Sequence, residues 1–209
     1  MGHREDLLDG AKRCLLEKGW VRTTAREIVA ASGANLASIG YHYGSKEALM
    51  LEAFMRLTEE WGEGVGRSLA ENAAEAPSRE DRVAHVVDAL VASFGDSRDF
   101  WSVQLEVMGQ LGNHPELRER FAAVLPQGRE GMTAIFEGVD DKDVPERASR
   151  TAGAVYHALF IGLWVQWLIK PEAAPDGRDV VEGMRRILAG TVLEPGEPGE
   201  SRDDAPTAK

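Results

Sequence analysis

Apolar residues recur along this chain at the three-to-four-residue interval of a helix, and no run of alternating β-branched residues persists beyond a few positions. The pattern predicts an all-α protein. Its first helix covers residues 4–18, with Leu7, Leu8, Ala11, Cys14 and Leu15 on one face and Gly19 as the stop. Cys14 on that face is a core residue. Thr24-Ala-Arg-Glu27 has the form of a capping box, so a short helix is expected over residues 25–32, ending at Gly33. Asn35 then suits the N-cap of a third helix that starts at Leu36. Two short helices around a glycine-containing turn make a helix-turn-helix signature.

Breakers divide the remainder into long helices. Ser45 caps one reaching residue 75, Ser78 caps one to Phe94, and others are expected over 99–111, 115–137 with an interruption near Pro126, 145–169 and 176–191. The last sixteen residues, 194–209, have two Pro-Gly pairs and no apolar anchor, which predicts a disordered tail. Three units follow: a helix-turn-helix head over 1–54, a larger helical body over 55–193, and the tail.

At about 100° per residue, Leu36, Ile39 and Tyr43 fall together as the inward face of the third helix. Ala37 and Tyr41 then point outward, flanked by Ser38 and Gly40, with His42 toward an edge. The outward face of such a second helix is the one that enters a major groove, where small residues allow close approach to bases and a tyrosine reaches a phosphate or a thymine methyl. Lys46 stands at the first position of the next helix, where the positive end of the helix dipole disfavours a cation unless a phosphate binds there. Thr24 offers a similar helix start.

Charge supports that placement. The chain carries a net charge of −11, but residues 1–58 hold eight Lys/Arg against seven Asp/Glu, and all of the excess acidity lies beyond them. A near-neutral head on an acidic body can still meet DNA if its few cations share a face. The apolar run AVYHALFIGLWVQWLI (Ala154–Ile169) is shorter than a usual membrane span and contains His157 and Gln166, which reads as a buried helix. The charged N-terminus and lone cysteine point to the cytoplasm. No cofactor motif and no metal-ligand cluster is legible; Asp140-Asp141-Lys142-Asp143 reads as a solvated loop before the helix start at Pro145.

The stretches Thr23-Thr24-Ala-Arg26-Glu-Ile28, Gly33-Ala-Asn-Leu-Ala-Ser-Ile-Gly-Tyr41-His42-Tyr43 and Gly44-Ser-Lys46-Glu-Ala-Leu49 together resemble the DNA-binding head of the tetracycline-repressor (TetR) family. The resemblance covers residues 4–54; the rest matches in length and helical plan. It implies that Thr24, Tyr41, His42 and Lys46 meet phosphates and that Asn35, Ala37 and Ser38 lie near base edges, with Arg26 in the same contact set. Gly40 departs from the pattern, where many members carry a larger, often aromatic residue. The resemblance also implies a homodimer through the last two long helices and a palindromic operator. Apolar residues on nearly every face of residues 155–169 agree with such an interface.

The resemblance further implies a small-molecule pocket in the body whose filling moves the heads out of register, so the expected function is a repressor released by an effector. Trp101, Gln104, Met108, Phe121, Tyr156, His157, Phe160, Trp164 and Trp167 are the candidate lining, suited to an apolar or aromatic ligand. The alternative is a small helical enzyme or binding protein acting on the same kind of molecule. No Ser/His/Asp, Cys/His or Glu/His set stands at useful spacing for one.

Overall fold

The computed structural model describes residues 3–74 and 76–190, which form nine helices and no strand. They are α1 (His3–Lys18), α2 (Ala25–Ser32), α3 (Leu36–Tyr43), α4 (Lys46–Ala74), α5 (Arg79–Asp96), α6 (Arg98–Met108), α7 (Pro115–Glu137), α8 (Glu146–Ile169) and α9 (Gly177–Ala189). The tail predicted to be disordered lies outside the described residues.

Local chemistry sets the head. Gly19 ends α1 in the left-handed conformation (φ +81°), and the buried Thr23 hydroxyl donates to the Gly19 carbonyl at 2.7 Å. Thr24 and Glu27 close the capping box: the Thr24 hydroxyl oxygen accepts from the Glu27 N–H, and the Glu27 carboxylate accepts from the Thr24 N–H at 2.9 Å. Lys18 reaches the same carboxylate at 2.8 Å, which ties the end of α1 to the start of α2. Asn35 caps α3 by accepting from the Ser38 N–H at 3.0 Å. Leu7, Leu8, Cys14, Leu15, Ile28 and Ile39 are buried in one core with Leu49, Met50 and Phe54 of α4. Burial raises the Cys14 thiol pKa.

The inward face of α3 differs from the one expected. Leu36 is 55% exposed, whereas Ser38 is buried beside Ile39, and His42 and Tyr43 are half-buried. The helix is thus rotated by roughly 60° about its axis, taking 100° per residue. Tyr43 anchors this rotation, since its hydroxyl donates to the Arg4 carbonyl at 2.7 Å while the Arg4 guanidinium lies over its ring.

In the body, the helices surround an aromatic cluster. Trp101 of α6 is 1% exposed and meets Trp61, Phe94, Phe160 and Trp164 at ring separations of 4.8 to 5.5 Å. Helix α7 runs unbroken through Pro126, contrary to the interruption expected there. Pro126 is exposed, so water can take the carbonyl that loses its helical donor. Helix α8 contains a π-turn at Ser149–Gly153, beside which α7 approaches so closely that a Cβ on Gly153 would overlap Thr133 and the Arg129 carbonyl. With its added turn α8 is long and apolar enough to cross a bilayer, yet Tyr156, Phe160, Leu163, Trp164 and Trp167 are buried in the body. Helix α9 is capped by Asp176 and docks on α5, where the Gly177 N–H donates to Asp88 at 2.7 Å.

Two outcomes follow. Phe94 is fully buried among Trp101, Phe160 and Trp167, so Phe94→Ala should lower unfolding stability by about 3–5 kcal/mol in a urea titration, whereas a loss under about 1 kcal/mol would mean the cluster is not packed as described. The Glu27 carboxyl is held down at about 2, first by Lys18 and then by the Thr24 N–H and hydroxyl, against an ordinary 4.5. Its contribution is complete above pH 4.5 and is lost as pH falls toward about 2. The melting-temperature gap between the wild type and Glu27→Gln should therefore narrow across that window, and a gap constant through it would contradict the assignment.

Candidate nucleic-acid interface and effector cavity

The rotation of α3 decides which of its side chains face outward. Leu36, Ala37, Gly40 and Tyr41 are exposed, Tyr41 by 85%, and the Tyr41 and His42 rings meet edge to face at 4.8 Å. Between Leu36 and Tyr41 this strip is flat, because Ala37 is small and a Cβ on Gly40 would meet no described atom within 4 Å. Ser38, predicted near base edges, is instead turned into the head. Leu36 takes the exposed place that its apolar character concealed.

Thr24, Arg26 and Asn35 are exposed at the two helix starts. The Thr24 hydroxyl is already engaged by Glu27, to which it donates at 2.9 Å. Lys46 is half-buried, and its ammonium donates to the Thr23 carbonyl at 3.2 Å and lies 3.4 Å from the Glu47 carboxylate. It therefore brings the start of α4 against the residue just before Thr24. The starts of α2 and α4 stand together there, with the Glu27 and Glu47 carboxylates beside them.

The head is held by the body at one conspicuous point. The Glu106 carboxylate of α6 accepts from the backbone N–H groups of Trp20 and Val21, at 2.8 and 2.9 Å, across the turn that joins α1 to α2. A side chain on Gly19 would overlap that carboxylate. Nearby, the Trp20 ring meets His114, Phe54 stacks on Phe121 at 5.7 Å, and Arg120 lies 3.6 Å from Glu52. Glu106 escaped sequence reasoning, because nothing local marks a carboxylate whose partners are some 85 residues away.

Two residues before Glu106, α6 enters the wall of a cavity of about 940 Å³ between α4, α5, α6, α7 and α8. Trp101, Gln104, His157 and Phe160 line it as expected. The other candidates do not line it. Phe121 belongs to the seam with the head; Tyr156 stacks on Phe136 at 4.5 Å and donates its hydroxyl to Glu137 at 2.7 Å; Trp164 packs on Trp101; Trp167 lies between Phe94 and Arg98; and Met108 packs against the core. Trp61, Arg82, Phe100 and Met132 also line it and were missed. Glycines were the available signal. Gly62 and Gly66 on α4 and Gly128 and Gly131 on α7 all face the cavity, and a Cβ on Gly128 would come within 3.3 Å of His157 Nε2. Burial, and then the charge of Arg129, push the His157 pKa down. The acidic run lies at the cavity mouth, where Asp140 pairs with Lys142 at 2.9 Å.

Residues 7–53 match the family model "Bacterial regulatory proteins, tetR family", and residues 79–193 match "BetI-type transcriptional repressor, C-terminal". The chain is 28% identical over 120 residues to the HTH-type transcriptional repressor AcnR of Corynebacterium efficiens and 30% identical over 118 residues to AcnR of Corynebacterium glutamicum. The matched region is 56% of this chain, and the chain spans 55% of the length of each of these relatives. Among solved structures, SCO7518 from Streptomyces coelicolor A3(2) superposes with a TM-score of 0.65 at 22% identity, over 88% of this chain and 97% of that one. The multidrug binding protein EbrR in complex with proflavin does so with a TM-score of 0.61 at 22% identity, over 88% and 99%. Head, body and order of helices agree with these matches: the chain belongs to the tetR family of bacterial regulatory proteins.

Proposed function

We propose that the protein is a transcriptional repressor that binds a palindromic operator as a homodimer in the cytoplasm and leaves it when a small molecule fills the body cavity. The observation that carries this reading is the outward face of α3, an exposed strip in which the small Ala37 and Gly40 lie between Leu36 and a projecting Tyr41, on a buried, capped scaffold. Ala37 and Gly40 would let the helix backbone approach base edges, and Tyr41 would reach a phosphate or a thymine methyl. Lys46, Thr24 and Arg26 would hold phosphates at the helix starts, with Asn35 and His42 at the margins of the contact. The family to which the chain belongs is one of regulators, which sets the enzyme alternative aside.

The homodimer reading rests on α8 and α9. Val155 and Ile169 on α8, and Ile187 and Leu188 on α9, are large apolar residues left exposed, Leu188 by 86%. Ala158 and Gly162 lie along the same side of α8 and allow close approach of a second copy. Pairing there would give a four-helix interface and set the two α3 helices about 34–36 Å apart, the spacing of successive major grooves. An effector that displaces α6 would act on the head through Glu106, and operator affinity would fall by the difference in effector affinity between the two head postures.

Selection of bound duplexes from a random library should enrich an inverted repeat; folded, dimeric protein that enriches nothing would defeat the repressor reading. Tyr41→Ala should leave the melting temperature unchanged and weaken operator binding about tenfold, and Arg26→Ala should reduce the salt slope of log K by about one. Equal affinity in both variants would remove α3 and the α2 start from the interface. Leu188→Glu should yield monomers in sedimentation and abolish operator binding, whereas a persistent dimer would move the interface elsewhere.

A further inference from the structure

The outward face of α3 holds little that can make a hydrogen bond to a base. Ser38, whose position along the chain suggested a place near base edges, is buried in the head. Asn35 uses its side-chain oxygen on the Ser38 N–H at 3.0 Å, which closes the N-terminus of the helix. Leu36, Ala37, Gly40 and Tyr41 remain exposed, and of these only Tyr41 carries a polar side-chain atom. Leu36, the first residue of the helix, is wholly apolar and 55% exposed, whereas Ile39 of the same helix is buried in the core of the head.

Nothing inside the head asks for the clear space beside that leucine. Gly40 follows Leu36 by one helical turn and lies on the same side of α3. A Cβ there would meet no described atom within 4 Å, so packing within the chain does not call for a glycine, and glycine inside a helix is less favourable than alanine. Side chains on a helix lean toward its N-terminus, which carries Leu36 forward of the backbone with open space behind it. In a helix-turn-helix the N-terminal residues of the second helix are the ones brought to base edges. Leu36 is therefore the bulkiest outward side chain on the part of α3 that meets bases first.

Among the base edges of a major groove thymine alone presents a methyl group, whereas guanine and adenine present hydrogen-bonding atoms and cytosine an amino donor. A leucine set against those polar atoms removes their water and returns no hydrogen bond. Set against the methyl, it buries apolar surface on both sides. We infer that Leu36 is a specificity-determining residue of each half-site and reads the C5-methyl group of a thymine, so that this step of the operator is selected by apolar contact. The inference rests on the reading of α3 as the DNA-facing helix. Ala37 and Gly40 supply the close approach that the contact needs, and Tyr41 stands at the other end of the strip.

Fluorescence anisotropy of the full chain on its selected operator, with each thymine replaced in turn by deoxyuridine in both half-sites, tests this. The exchange removes one methyl group and leaves the base pairing unaltered. At the contacted position it should weaken wild-type binding about fourfold per half-site and about fifteenfold over both, the value of one buried methyl group. Leu36→Ala, which removes an exposed side chain, should keep its melting temperature, bind the unmodified operator more weakly and lose the response to uracil at that position alone. An operator without thymine in its half-sites, or one on which no exchange changes wild-type affinity by more than about twofold, would overturn the methyl inference and leave operator binding standing; this arm needs no variant. A response that Leu36→Ala retains in full would give the methyl to another side chain and overturn the role of Leu36. Folded, dimeric protein that selects no duplex would overturn the repressor reading and this inference with it.

Discussion

The two hydrogen bonds from Trp20 and Val21 to the Glu106 carboxylate are the constraint through which head and body become one machine. Hydrogen bonds to an ionised group contribute roughly 1.5–3 kcal/mol each when well shielded, and the outer one here is exposed, so its share lies at the low end. Their importance is positional. They fasten the turn between α1 and α2, and α2 in turn sets the start of α3 through the short connection after Gly33. Lys46 and Lys18 tie the remaining corners of the same turn, to the Thr23 carbonyl and to Glu27. A displacement of α6 would therefore carry with it the α1–α2 turn, and through α2 the start of α3.

The body sets stability against capacity. Its core is dense where Phe94, Trp101 and Trp164 interlock, and hollow one helical turn away, where glycines of α4 and α7 replace the side chains that would fill the space. Glycine inside a helix is unfavourable by roughly 0.5–1 kcal/mol relative to alanine. Gly62, Gly66, Gly128 and Gly131 all face this one cavity.

What was legible in the sequence was what local chemistry decides. Thr24 and Glu27, Asn35, Gly19 and Gly33 act within a few residues of one another, and the helices they start and stop lie where those residues place them. The rotation of α3 was not legible, because it is set by Tyr43 reaching Arg4 across the head, and an amphipathic pattern of only eight residues tolerates either orientation. The same limit governed the body. Trp101 and Trp164 look alike along the chain, and only the packing of separate helices sends one to the cavity wall and leaves the other in the core. Pro126 broke nothing because it fell on the exposed side of α7, a fact of tertiary placement. Glycine spacing on α4 and α7 was the one sequence signal of a hollow, since small residues repeated at helical intervals clear a lane.

The most direct measurement is the affinity of Glu106→Ala for the selected operator, by fluorescence anisotropy at matched dimer concentration, with a thermal melt to establish that head and body remain folded. If Glu106 sets the posture of the head, affinity should fall about tenfold or more, in proportion to the hydrogen bonds removed. Affinity within twofold of the wild type would mean that the heads find their place on DNA without the body, and that a ligand in the cavity has no path to them through this contact.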